Sequence, residues 1–149
     1  MKSNNFGKNP LDKSLDYVSH ELIKDTLYIT VVSNLITNKC PKCSVKSNKV
    51  HSRYQKSFQD LPIQGKKVII IIKNRNFFCI NKECDKYTFS EEFSFIDPKA
   101  KKTRRLIDEI VRVSLNQSSL SAARYLSETT AKVKKSSICN YLKKNNKNR

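Results

Sequence analysis

Long apolar runs are missing from this 149-residue sequence. The longest, VIIII at 68–72 and ITVV at 29–32, fall far short of the roughly 20 residues that cross a bilayer. The first eighteen residues, MKSNNFGKNPLDKSLDYV, contain no apolar h-region, so they do not read as a secretory signal. The expected location is therefore the cytoplasm, where thiols stay reduced. Histidine is scarce: only His20 and His51 occur, in different segments. Acids are few, 13 against 30 Lys and Arg, and they scatter over turns, a short connector and helical segments. Neither supply suits a self-sufficient nuclease, which needs clustered carboxylates or a histidine-based site. No internal repeat is present, and the length allows one domain or two small ones with modest cores.

Positive charge is abundant and unevenly placed. Residues 1–38 carry four charges of each sign, and residues 39–82 carry eleven basic side chains against Asp60 alone. Residues 83–98 hold five acids and one Lys, whereas residues 99–149 hold fourteen basic side chains against three acids. Two basic blocks separated by an acidic stretch point to a polyanion as partner. The alternative is a solvated Lys/Asn-rich surface of the kind an AT-rich genome encodes.

The first half of the chain reads as strands. Leu27, Ile29 and Val31 alternate with Tyr28, Thr30 and Val32 in TLYITVV, and YVSHELI is its hairpin partner across a Lys24-Asp25 turn. LDKSLDYV before it reads as a short helix or a turn. Residues 51–79 read as a strand, a turn at LPIQG, a second strand whose β-branched run 68–72 suits burial, and a short strand into FFC. The first ten residues are polar, and a disordered terminus is expected there.

Four of the five cysteines form two chelating pairs, Cys40 with Cys43 in CPKC and Cys79 with Cys84 in FFCINKEC, with 35 residues between the pairs. Zinc prefers four soft or borderline ligands in a tetrahedron, and this set supplies them all as thiolates. One closed, structural Zn²⁺ per chain is expected; a disulfide and a chance spacing are the other readings. The aromatics of FFC are expected to pack beside the site. His51 is a substitute ligand only if a thiolate fails, and otherwise faces the surface or a phosphate.

The stretch from CPKC to FFCINKEC resembles the zinc-binding N-terminal region of bacterial insertion-sequence transposases of the ISL3 family. The matching positions are His51, Ser52, Tyr54, Asp60, Leu61, Pro62, Gly65, Val68, Phe77, Phe78, Cys79, Asn81 and Cys84. Asn76 and Lys56 stand where that family often has Arg; the resemblance implies that the first removes a candidate phosphate contact, while the second keeps the charge but loses bidentate geometry.

Beyond EEFSFIDP the pattern turns helical. Leu106, Ile107, Ile110 and Val111 form an amphipathic stripe in KKTRRLIDEIVRVSLN, with Asp97-Pro98 as start signal. SSLSAARYLSE reads as a Ser-capped helix with Leu120, Ala123 and Leu126 inward. KSSICNYLKK reads as a third, with Ser136 as N-cap and Ile138, Tyr141 and Leu142 inward; Cys139 is a small core residue there. Such an arrangement looks like a helix-turn-helix DNA reader, the alternative being an ordinary three-helix bundle. SETTAK at 127–132 is longer than the turn of such a reader.

These readings give an α+β fold: a disordered 1–10, a zinc-ribbon-like β domain with an N-terminal hairpin over 11–97, and a helix-turn-helix domain over 98–149. The resemblance implies the DNA-binding portion of a truncated or fragmentary transposase. On that resemblance the DDE catalytic domain is expected to be missing from this chain, which is then expected not to be an enzyme itself and to recognise terminal inverted repeats in the bacterial nucleoid. Candidate DNA contacts are Arg53, Tyr54, Lys66, Lys67 and Arg75 in the first basic block. In the second they are Arg104, Arg105 and Lys135, with Ser137, Asn140, Lys143 and Lys144 on the outer face of the third helix. Full-length transposase is a further candidate partner, and a membrane is not. The alternative is a free-standing zinc-containing transcription regulator or an RNA-binding module.

Overall fold

The alternation in TLYITVV and YVSHELI builds β1 (Leu15–Ile23) and β2 (Thr26–Ser33), the expected hairpin, turning at Lys24 with φ 54°. The computed structural model describes residues 11–147, so the disordered terminus expected over 1–10 lies outside the described residues. Residues 11–14 form a turn, not a helix. Next come the short strands β3 (Asn38–Lys39) and β4 (Lys46–Ser47), paired antiparallel with Asn38 opposite Ser47. Two long strands follow, β5 (Val50–Ile63) and β6 (Lys66–Phe78), and then β7 (Thr88–Ser90). The main sheet runs β1-β2-β6-β5, and β7 adds to β6 with Phe89 opposite Phe77.

Two details differ from the sequence reading. The turn expected at LPIQG narrows to Gln64-Gly65, with φ 49° and 75°, and Leu61–Ile63 stay in the strand. A two-residue loop with both central φ positive has the twist that joins antiparallel strands without splaying them. The NRN stretch at 74–76 does not interrupt β6, because its side chains donate across the sheet, although Asn74 Oδ1 is buried without a partner. Asn74 Nδ2 donates to Tyr54 Oη at 2.6 Å, and Asn76 Nδ2 donates to Ser52 Oγ at 3.1 Å. Along β6, Val68, Ile70, Ile72 and Asn74 are buried at even positions, after which burial moves to the odd position Phe77.

Three helices follow, α1 (Arg104–Ser114), α2 (Ser119–Thr129) and α3 (Lys135–Lys147). The helix expected to start at Asp97-Pro98 begins later, because Thr103 is its N-cap and its hydroxyl accepts from the Leu106 N–H. Asp97 instead accepts from Arg104 Nε at 2.7 Å. Ser118 caps α2, accepting from the Ser121 N–H at 3.1 Å. The third helix starts one residue before Ser136, with the Ile138 N–H donating to the Lys134 carbonyl. Leu120 is 60% exposed and Ala122 fully buried, so the inward stripe of α2 is Ala122/Leu126, with Ala123 at its edge. The expected long turn is shorter: Ser127–Thr129 complete α2, and five residues, 130–134, make the link. Ala131 and Val133 of that link are buried with Leu106, Ile110, Ala122, Leu126 and Ile138, while Tyr141 and Leu142 pack against them.

The chain divides into two compact units. Among the described residues, one contains 11–21, Ile29–Ser57 and Ile70–Ser94; the other contains Leu22–Tyr28, Phe58–Ile69 and 95–147. In the second unit the end of β5 holds the start of α1. The Gln59 N–H donates to the Lys101 carbonyl and the Gln59 carbonyl accepts from the Thr103 N–H. Next to it, the buried Asp60 carboxylate accepts from Thr103 Oγ1 and Arg105 Nε, both at 2.8 Å, and from Arg105 Nη2. That carboxylate keeps Arg105 more firmly protonated than usual.

Removing a buried acceptor that serves both an N-cap hydroxyl and a guanidinium strands both donors. Asp60→Ala should therefore cost about 2–3 kcal/mol in zinc-replete chemical denaturation. Arg112→Ala, which removes only an exposed i,i+3 pair with Glu109, should leave the midpoint unchanged. Equal midpoints for Asp60→Ala and wild type would show that this network does not hold α1.

Candidate metal centre

Each cysteine pair sits at the tip of a small antiparallel ribbon. Cys40 and Cys43 occupy the loop between β3 and β4, and Cys79 and Cys84 the loop between β6 and β7. In the first loop the Ser44 N–H donates to the Cys40 carbonyl at 2.8 Å, and the Cys40 N–H to the Val45 carbonyl at 3.1 Å. Ser44 adopts φ 63°, which curls the chain so that both sulfurs point inward. In the second loop the Cys84 N–H donates to the Asn81 carbonyl, the Glu83 N–H to Asn81 Oδ1, and the Cys79 N–H to the Tyr87 carbonyl.

The four sulfurs all lie within 4.8 Å of one another. Cys43 Sγ and Cys79 Sγ are 3.6 Å apart, too far for a disulfide, and all five cysteines are free. Sulfurs bound at about 2.3 Å to one tetrahedral zinc lie about 3.8 Å apart, so the cluster has the size that ion requires. Charge points the same way. Backbone donation from Val45, opposed by burial and helped by Asn81, Cys79 and Cys40, holds the Cys43 thiol down to about 6. At Cys79 the Asn81 backbone favours the thiolate, but burial and the Cys43, Cys40 and Cys84 sulfurs outweigh it and push the thiol up to about 12. Four adjacent thiolates need a dication to coexist. The cluster is consistent with a single structural zinc ion, and four thiolates leave it no open position.

The surroundings fix the ribbons. Cys40, Phe77 and Phe89 are buried together, with Cys43, Val50, Cys79 and Cys84 packed against them. Phe77 and Phe89 stack at 5.7 Å. Of the two aromatics in FFC only Phe77 joins this core; Phe78, one position on, faces the other side, as strand alternation dictates. Phe89 had no signal in the sequence beyond its type. Nor did Glu91, which reads as a connector acid but is fully buried at its side chain. Its carboxylate accepts from Arg75 Nε at 2.9 Å and Nη2 at 2.8 Å. Arg75 also donates to Ser33 Oγ and the Leu35 carbonyl, with its guanidinium 4.9 Å from the Phe77 ring centre. His51 is outside the sulfur cluster; its ring lies against Phe78 at 4.8 Å.

The remaining site candidates distribute as follows. Arg53 and Lys67 are exposed, Lys66 is half-buried, and Tyr54 keeps its hydroxyl on Asn74. Arg75 and Arg105 are engaged by Glu91 and Asp60, and Arg104 by Asp97. Ser137, Asn140, Lys143 and Lys144 line one shallow hollow on α3 together with Tyr141, and Lys135 is exposed in the first turn of that helix. Burial raises the Tyr141 phenol. Arg104 and Lys144 also border a cleft of about 660 Å³ with Lys99, Lys101 and Lys102, three residues that helix periodicity could not single out because they precede α1.

These features define a four-cysteine zinc ribbon followed by three helices. Residues 37–84, about a third of the chain, match the family described as zinc-finger of transposase IS204/IS1001/IS1096/IS1165. That segment is a zinc-finger domain of the ISL3-family transposases, with Cys40, Cys43, Cys79 and Cys84 as its metal-binding set. The match covers the zinc-finger region, and no catalytic-domain family is found. No curated protein and no solved structure matches the chain. Among the described residues, no helix is long and apolar enough to cross a membrane.

Metal analysis of the purified chain should give one Zn²⁺ per molecule. Cys40→Ser or Cys84→Ser should lose the metal and the cooperative unfolding of residues 37–84, because binding free energy is here folding free energy. Cys139→Ser should do neither, since Cys139 lies outside the four-sulfur cluster and its sulfur is hydrogen-bonded to Ser119 Oγ at 3.4 Å. Full zinc occupancy in the Cys79→Ser/Cys84→Ser double variant would rule the site out.

Proposed function

We propose that this chain is a DNA-binding portion of an insertion-sequence transposase, with α2 and α3 acting as a helix-turn-helix that recognises terminal inverted repeats. The observation carrying the proposal is the outer face of α3. Ser137, Asn140, Lys143 and Lys144 share one hollow there, while Ile138, Tyr141 and Leu142 of the same helix pack against the core. A five-residue link joins α2 to α3, close to the three or four residues of compact helix-turn-helix units. None of the α3 lysines forms an ion pair among the described residues, so their charge is available to phosphate. Membership of residues 37–84 in a transposase zinc-finger family supports a DNA-related role.

In this reading Asn140 reads a base edge, and Lys135, Lys143 and Lys144 contact phosphates. Arg53, Tyr54, Lys66, Lys67 and Arg104 add backbone contacts. Arg75 and Arg105 act through Glu91 and Asp60, shaping the surfaces that carry the others. The DNA is that of the transposon ends in the bacterial nucleoid, and a full-length transposase would compete for the same ends.

Binding measured by fluorescence anisotropy should weaken steeply with salt as phosphate contacts release counterions. Asn140→Ala should lose about 1–3 kcal/mol of discrimination between repeat and random duplex. Lys143→Ala should weaken both duplexes alike and lower the salt slope by about one unit. RNA or random DNA binding as tightly as the repeat ends would favour an RNA module or a general regulator and sink this assignment.

The chain alone should neither nick nor join those ends. Two-metal phosphoryl transfer needs carboxylates converging on ions about 4 Å apart. Among the described residues, the four cysteines are the only group of three or more His, Cys, Asp or Glu close enough to share an ion. Supercoiled plasmid carrying repeat ends should stay intact with Mg²⁺ or Mn²⁺. Metal-dependent nicking lost in Glu91→Gln/Glu92→Gln/Asp97→Asn would reveal a nuclease.

A further inference from the structure

We infer that His51, Phe78 and Tyr87 form a stacking platform for an unpaired DNA base, an inference that rests on the DNA-binding reading above. The three rings come from the start of β5, the end of β6 and the loop before β7. Phe78 lies 4.8 Å from His51 and 5.4 Å from Tyr87, and His51 lies 6.4 Å from Tyr87, each pair edge-to-face. Tyr87 is 73% exposed and His51 is exposed as well, so the cluster presents aromatic surface to solvent.

The platform is held from behind. The Phe78 N–H donates to the Lys49 carbonyl at 2.8 Å, and the Cys79 N–H to the Tyr87 carbonyl at 3.0 Å. Cys79 is itself one of the four clustered cysteines. The backbone carrying Phe78 and Tyr87 is thus tied to the cysteine ribbon, which lowers the cost of ordering the platform on binding. The flanks choose the occupant. Lys49 and Lys86, exposed neighbours of His51 and Tyr87 in the chain, form no ion pair among the described residues, and neither does Arg53. On the loop carrying Tyr87, Asp85 pairs with Lys42, and the exposed Glu83 lies four residues before Tyr87. Aromatic faces bordered by unpaired cations suit a base attached to a phosphate backbone. Inside a duplex both faces of each base are covered by neighbours. The π-face this platform takes is therefore that of a base in a single-stranded tail or a frayed end, whereas α3 reads groove edges.

The sequence contains no tryptophan, so Tyr87→Trp in the zinc-loaded chain introduces a single indole reporter. Adding repeat-end duplex with a short oligo(dT) tail should quench and shift its emission; blunt duplex should bind with little spectral change. Tyr87→Ala should weaken tailed duplex on the order of tenfold and change blunt duplex less than about twofold. Tyr87→Phe should retain tight binding, because the ring and not the hydroxyl makes the contact. Zinc content is measured for every variant, so that a loss of fold is not read as a loss of stacking. Tailed and blunt duplexes that both bind, with indole emission unchanged and Tyr87→Ala silent, would overturn the platform and leave the DNA reading standing. If wild type bound neither duplex, both would fall together.

Discussion

Four sulfurs must meet at one point, and much of the chemistry of the first compact unit follows from that demand. The cysteine pairs are 35 residues apart in sequence, so closing the site means running the chain out along β5 and back along β6. Loop-closure entropy opposes such an excursion, and a small core alone supplies little against it. Ser44 in the left-handed region and the Asn81 turn help to aim the sulfurs at one another. Four sulfurs gathered within 4.8 Å of one another cannot all carry charge without a cation among them. A dication completes the set, and the Phe77–Phe89 stack and the Arg75–Glu91 pair then have a fixed wall to pack against.

A second economy concerns the acids. With 30 basic side chains and 13 acidic ones, carboxylates placed at random would leave a surface of mutually repelling cations. Here the two buried acids sit where backbone segments meet. Glu91 bridges β6, the β2–β3 connection and the start of β3 through Arg75 and Asn38, and Asp60 joins β5 to α1. The arginines so engaged serve folding, and the lysines carry most of the remaining exposed positive charge, with Arg53 and Arg124 beside them. A division of this kind follows from side-chain chemistry, because a guanidinium offers a rigid fork to a buried carboxylate and an ammonium does not.

The cysteine set, the N-terminal hairpin and the three helices were legible in the sequence because each signal is local: a chelating spacing, an alternation of two, a stripe every three or four residues. What stayed hidden depended on partners distant in sequence. Thr103 outcompeted Asp97-Pro98 as a cap because Asp60, 43 residues earlier, orients its hydroxyl. Glu91 looked like a solvated connector acid because Arg75 is 16 residues away. Leu120 looked like core because its type is apolar, yet the burying face of α2 is set by where α1 and α3 lie. The Tyr87 platform gathers rings from three segments, and no periodicity links them. His51, which ligand counting set aside as a metal ligand, lies outside the sulfur cluster.

The shift of burial along β6 from even positions, ending at Asn74, to the odd position Phe77 gives the strand a parity. Because successive side chains alternate between faces, each stretch of the strand needs its own odd or even count to be preserved. Deleting or inserting a single residue within 68–77 would turn one set of buried side chains outward whichever end stayed in register. Changes in pairs would keep both faces correct but would displace Cys79 along the strand axis by about 7 Å, out of reach of the other sulfurs. The strand is thus locked in length as well as in pattern. Variation among such sequences should accumulate as substitutions along this strand and as length changes only beyond its ends.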